Sequence, residues 1–289
     1  MRNPTHGGQS KHGKIDRPSS IWWGWHLASR KPVATLNPES LEAIHRLWDA
    51  LADIAPDRIE SALECLLRLQ PRDASIIHAS WAGAVRLTRG ERATSQDPMR
   101  RWRVAAAHAL HGYVPPPHRI WDRPDSDPSF DLPLRELGRF RSYSFRRQLP
   151  SSWFRSVFYR QHYGDYGIKD AAFVAFPVNA DCESHFGFYA DRRLSARDIA
   201  GLTYALRGIK WLHRNLMLGH GLMLASAPLT PTERKVVNLL LTEFTEKQIA
   251  AKLQLAVSTV HQHVQSVFRK FGIRNRAGLM RLWLGGSSS

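Results

Sequence analysis

The chain has 289 residues, with 41 Lys+Arg against 25 Asp+Glu and a formal net charge of +16 when its 14 His are neutral. Its 43% hydrophobic and 23% charged residues fit a globular protein of roughly two domains and exclude a wholly disordered, collagenous or low-complexity chain. No apolar run reaches the roughly 18 residues of a spanning helix, no apolar segment near the start marks a secretory signal, and Cys65 and Cys182 are too isolated for a disulfide framework or a Cys-rich zinc site.

A reduced, cytoplasmic protein without metal or cofactor is therefore expected. A strong positive charge favours a polyanionic partner, because Lys and Arg release counterions from a phosphate backbone. The charge is unevenly spread. Residues 1–35 hold 6 Lys+Arg against 1 Asp+Glu and residues 229–289 hold 9 against 3, whereas the long middle is nearly balanced. A charged effector module joined to a neutral one has this pattern.

Residues 1–35 read as a basic, mobile arm, with Trp22, Trp23 and Trp25 as an aromatic cluster that packs on a core. Asn37-Pro38-Glu39 starts a helix carrying Leu41, Ile44, Leu47, Trp48 and Leu51 at helical steps. A second helix is predicted from Asp57 through Leu69, one or two strands between Ala74 and Val85, and a third helix from Pro98 to Leu110. The Pro-rich segment from Pro115 to Pro133 is a long loop. Ser151 or Ser152 then caps a short helix through Tyr163. Ala171–Val178 and Ser184–Tyr189 read as antiparallel strands joined by Asn179-Ala180-Asp181. Ser195, with Asp198 in a capping box, opens a helix of about five turns whose stripe is Ile199, Leu202, Leu206, Ile209 and Leu216.

The last 60 residues carry the sharpest pattern. Thr230-Pro231 caps a helix with Val236, Val237, Leu240 and Leu241. Thr245 and Gln248 form a capping box before a short helix that buries Ile249, Ala250 and Leu253. Residues 254–257 make a tight connection to Ser258, the expected N-cap of a third helix, and two short helices so joined are a helix-turn-helix. The third helix places Val260, Val264, Val267, Phe268 and Phe271 on one side and Gln262, Gln265, Ser266 and Arg269 on the other. Amides near its start can bond base edges in the major groove, and cations near its end can meet phosphates. Gly272 ends it, and Asn275 caps a last helix with Leu279, Leu282 and Trp283 on its apolar side.

Leu229-Thr230-Pro231-Thr232-Glu233, Phe244–Ala250, Ser258–Val264 and Arg269–Arg276 together resemble the LuxR-type four-helix DNA-binding domain over about residues 229–284. The resemblance implies a regulator of transcription that binds double-stranded DNA. His261, Gln262 and Gln265 would face bases, Lys247, Thr259, Arg269 and Lys270 would serve phosphates, and Ser258 would lie at the DNA-facing start of the helix. It also implies a homodimer formed through the last helix, at Leu279, Leu282 and Trp283. Three positions depart from the family pattern: Thr232 stands where Arg is common, Gln248 where Glu is, and His261 where Lys is. The last exchanges a permanently charged side chain for one that titrates near neutrality, so affinity should be weaker or pH-dependent.

Trp153-Phe154-Arg155-Ser156, Phe176-Pro177-Val178 and Leu194–Asp198 resemble GAF or PAS-like sensor modules, which implies a small-molecule or partner signal. The expected organisation is a mobile arm (1–35), an α+β GAF/PAS-like domain (36–221), a linker (222–228), an all-α LuxR-type domain (229–284) and a disordered tail (285–289). No acid, base and nucleophile set is recognisable, so no enzyme is expected. His108 with His111, and Cys182 with His185, lack further ligands and are structural, whereas His213 and His220 belong to a polar helix face. A sigma-factor-like initiation protein and an enzyme tethered to nucleic acid are the competing readings.

Overall fold

The computed structural model describes residues 36–54, 58–69, 75–86, 102–109, 127–133 and 135–284. The expectations for the arm with its three Trp, for the tail, for His111 and for the Pro-rich loop before Asp127 lie outside the described residues.

Helix α1 (Pro38–Ala52) begins as expected, with the Asn37 side chain accepting from Ser40 N, and α2 (Ile59–Leu67) follows. A five-stranded antiparallel sheet comes next, formed by β1 (Ile76–Arg86), β2 (Trp102–Ala109), β3 (Arg141–Ser144), β4 (Asp170–Asn179) and β5 (Cys182–Ala190), in the order β2-β1-β5-β4-β3. β4 and β5 are the predicted hairpin, paired from Asp170 opposite Ala190 to Asn179 opposite Cys182. Both strands read as nearly continuous apolar runs because the sheet is covered on both faces.

The segment predicted as a helix from Pro98 to Leu110 is corrected: Trp102–Ala109 is the edge strand β2, with Trp81 opposite His108 and Arg86 opposite Trp102. Its three consecutive Ala favour a helix locally, but the free edge of β1 offers a ladder of hydrogen bonds that outweighs that preference. The short helix before Tyr163 also starts later than expected. After a 3-10 turn at Trp153–Arg155, α4 (Val157–His162) is capped by Ser156 Oγ, which accepts from Tyr159 N at 3.0 Å. Between them and the preceding strand lies α3 (Phe145–Gln148).

The long helix after Ser195 is broken. The capping box forms as predicted, but α5 (Ala196–Arg207) stops and α6 (Lys210–Gly219) restarts. Two side chains explain the break by taking carbonyls that a continuous helix would use itself. Trp48 Nε1–H donates to Ala205 O at 2.8 Å, and His213 Nε2–H donates to Leu206 O at 2.9 Å. Gly208 lets the Trp48 ring approach, since a Cβ there would sit 2.2 Å from its edge.

One face of the sheet packs Trp81, Val174, Phe186 and Phe188 against α1, α2, α5 and α6. The other packs Tyr143, Ala171, Phe173 and Tyr189 against α3, α4 and the turns around them. A third core belongs to α7 (Pro231–Leu240), α8 (Glu246–Leu253), α9 (Val257–Phe271) and α10 (Arg276–Trp283). The expected α+β domain followed by an all-α helical domain is thus present.

Candidate nucleic-acid interface and buried cavity

The helical domain is built from its caps. Thr230 and Glu233 form a capping box at α7, Thr245 and Gln248 another at α8, and Asn275 Oδ1 accepts from Gly278 N at the start of α10. α8 ends at Gln254 with φ 55°, which turns the chain sharply into α9. Ser258 is not the N-cap expected of it. That position falls to Ala256, and Ser258 lies exposed in the first turn of α9, which has no side-chain cap. First-turn N–H groups left in this way suit a phosphate oxygen.

On α9, Val260, Val264, Val267 and Phe271 are buried, whereas His261, Gln262, Gln265 and Arg269 are exposed, as the helical phase required. Lys247 on α8 is exposed beside them and Thr259 is half-buried. A chain of hydrogen bonds crosses this surface: Glu246 Oε2 lies 3.0 Å from His261 Nδ1, and His261 Nε2 lies 2.8 Å from Gln265 Nε2. Glu246 was not singled out from the sequence, because only the packing of α8 on α9 brings it to His261.

Lys270 and Ser266 are turned the other way. Lys270 Nζ lies 2.7 Å from Glu233 Oε2 and donates to Pro228 O, and Ser266 Oγ donates to Glu233 Oε1 at 2.8 Å. Burial alone would raise the pKa of Glu233. Hydrogen bonds from Lys270, Thr230 N and Ser266 overcome that and hold the carboxyl down at about 2. Lys270 therefore belongs to an internal ion pair of its domain and not to the outer face assigned to it. Leu279 and Leu282 need the same correction. They are 0% and 2% exposed inside their own core and do not offer their side chains to a second copy, whereas Trp283 is half-buried and packs edge-on against Phe271 at 5.8 Å.

Arg214 on α6 ties this domain to the preceding one. It donates to Trp283 O at 3.0 Å and to Leu282 O, placing a cation at the C-terminus of α10, where the helix dipole favours it. Arg234 on α7 lies 3.8 Å from Glu60 on α2.

Beneath the opposite face of the sheet is a cavity of about 120 Å³, walled by rings of Phe145, Phe173, Tyr143, Tyr163 and Tyr189 and floored by Gly187. Burial pushes all three phenols up, Tyr189 to about 12, so they stay protonated and can donate. His185 lines the same space, its Nε2 3.0 Å from Glu183 Oε2, and Arg141 clamps Glu183 with bonds of 2.9 and 2.8 Å. Burial would raise the Glu183 pKa, but hydrogen bonds from His185 and Arg141 hold it at about 2. The charges of Arg141 and Glu183 are spent on each other, and the walls offer a ligand aromatic faces and hydroxyl donors. Spacing could not reveal this constellation, because Arg141 and Glu183 stand 42 residues apart and meet only through the sheet.

Cys182 and His185 point to opposite faces of the sheet, the thiol donating to Leu222 O at 3.0 Å. His213 and His220 do not lie on a polar helix face as expected. They are 0% and 8% exposed, and burial lowers each to about 4. His213 Nε2 carries the proton for Leu206 O, so Nδ1 accepts from Ser184 Oγ at 2.9 Å, and Ser184 in turn accepts from Trp81 Nε1–H.

A family model described as "Bacterial regulatory proteins, luxR family" matches residues 227–283. The chain is 32% identical over 60 residues to the "Probable HTH-type transcriptional regulator GfsR" of Streptomyces halstedii, covering 21% of this chain and 25% of that protein. It is 34% identical over 81 residues to the "Transcriptional regulatory protein MctR" of Rhizobium johnstonii, covering 28% and 36%. The matches thus span about a quarter and a third of these relatives. Among solved structures, the VqsR LBD domain from Pseudomonas aeruginosa aligns with TM-score 0.40 and 12% identity over 63% of this chain and 98% of that one. SdiA in complex with octanoyl-rac-glycerol aligns with TM-score 0.35 and 12% identity over 88% and 100%.

Proposed function

We propose, from the LuxR-family helix-turn-helix domain at residues 227–283, that the chain is a cytoplasmic, sequence-specific DNA-binding regulator of transcription. One observation carries this reading: α9 turns Gln262 outward in its first half, Gln265 at its middle and Arg269 near its end, on a helix otherwise anchored by a continuous apolar side. Amides at the front of a groove-filling helix can bond base edges, while Arg269 and Lys247 meet phosphates at the rim. Ser258 and Thr259 lie at the uncapped first turn, where backbone N–H groups complement a further phosphate.

The α+β domain supplies the signal in this proposal. Its cavity is large enough for part of a small, uncharged ligand, and occupation would act on DNA binding only by favouring one of two arrangements of the domains. The contact of Arg214 with the end of α10 is a coupling point available for that purpose. A dimer on a two-fold site is part of the same proposal. Its α10 contact would use the exposed stripe Ala277, Arg281 and Leu284, since Leu279 and Leu282 are committed to the domain core.

Selection of bound duplexes from a random-sequence pool by the full chain tests the reading. Enrichment of a defined consensus is the expected result. Binding of every duplex with equal affinity would reduce the domain to a non-specific polyanion binder and overturn it.

A further inference from the structure

We infer that Gln265 is the adenine-reading residue of the α9 face, and that Glu246, acting through His261, fixes which edge of its amide meets the base. The inference rests on the regulator reading above. It begins with the carboxylate. Glu246 Oε2 faces His261 Nδ1 at 3.0 Å, and an ionised carboxylate can only accept, so the ring proton sits on Nδ1. The atom that meets ring Nε2 is an amide nitrogen, which only donates, so Nε2 presents its lone pair and the ring is the Nδ1–H tautomer.

The group 2.8 Å away is the amide of Gln265, one turn further along α9, and its Nε2 is the atom that meets the ring. The amide orientation is therefore set by the carboxylate two bonds away. One N–H of Gln265 is spent on His261. Its Oε1 and its second N–H are left, an acceptor beside a donor on an exposed side chain. That pair complements the N6–H donor and N7 acceptor that adenine shows in the major groove, and it mismatches guanine, which shows two acceptors there.

Gln262 provides the internal contrast. It is exposed on the same helix, yet makes no such hydrogen bond among the described residues, so nothing fixes its amide and it can meet either a donor or an acceptor. The two glutamines, alike in sequence, thus differ in what they can discriminate. Glu246 is a positioning residue in this scheme and touches no base.

The test uses the full chain in random-duplex selection, with wild type, Gln265→Ala and Glu246→Gln in parallel. The wild-type consensus should contain an A·T pair at which Gln265→Ala loses about tenfold or more of its preference, with the other positions retained. Glu246→Gln should relax that same position, because a glutamine can donate or accept and no longer dictates the tautomer. Replacing that adenine with 7-deazaadenine, which lacks the N7 acceptor, should weaken wild type about tenfold and leave Gln265→Ala unchanged.

A Gln265→Ala consensus identical to wild type, or altered at a position that is not adenine in wild type, would overturn the assignment while leaving the regulator reading intact. A Glu246→Gln variant that keeps the position sharp would overturn the positioning role. Failure of wild type to enrich any consensus would remove the regulator reading itself.

Discussion

Lys270 and Arg269 are neighbours in sequence with opposite duties. Arg269 is exposed, and Arg269→Ala should weaken binding to all duplexes alike and lower the salt slope by about 1. Lys270 neutralises the buried Glu233, so Lys270→Met should cost on the order of 3 kcal/mol of stability by stranding that carboxylate. Urea unfolding together with salt titrations of binding separates the two. A Lys270→Met chain of unchanged stability but flattened salt slope would return Lys270 to the phosphate contacts. Much of the outer face was legible in the sequence, because apolar residues at helical steps fix the orientation of everything opposite them. Lys270 and Ser266 were misread because they sit at the boundary of that face, where a partner on α7 decides which way a long side chain turns. Glu246 and the Arg141–Glu183 clamp were out of reach for the same reason, since each depends on contact between elements distant in sequence.

Elements were readable where local and tertiary preferences agree. The capping boxes at Ser195 and Thr245, the cap at Thr230 and the β4–β5 hairpin formed as their residues demanded. β2 was missed because its Ala-rich run prefers a helix in isolation and becomes a strand only beside β1. The break between α5 and α6 was hidden because its apolar stripe keeps helical phase across it, while the cause lies in Trp48 and His213. Gly208→Ala therefore probes the joint directly. A methyl group there would collide with the Trp48 ring, and a loss of about 1 to 3 kcal/mol is expected in urea unfolding. An unchanged or raised stability would mean that Trp48 does not hold the break.

At the scale of the whole molecule, stability should fall on mild acidification. His213 and His220 have folded pKa values lowered from 6.5 to about 4, so between those values the unfolded chain binds more protons than the folded one. Their stabilising neutral form is fully present above about pH 6.5 and is lost as pH falls towards 4. Glu233 and Glu183, held at about 2, add a second loss below about pH 4.5. The first loss should shrink in His213→Gln, which keeps a donor for Leu206 O. Thermal unfolding midpoints that stay flat from pH 7 to 4 would contradict the buried, neutral state of these rings.

The helical and α+β domains share the Arg214 and Arg234 contacts, yet the face of α9 that bears the amides is open to solvent. Photo-crosslinking of the full chain to its selected duplex carrying 5-iodouracil, whose reactive atom lies in the major groove, tests that face most directly. Cross-linked peptides should map to α9, around His261 to Arg269. Cross-links confined to the sheet domain, or to α10, would contradict the placement of α9 in the groove.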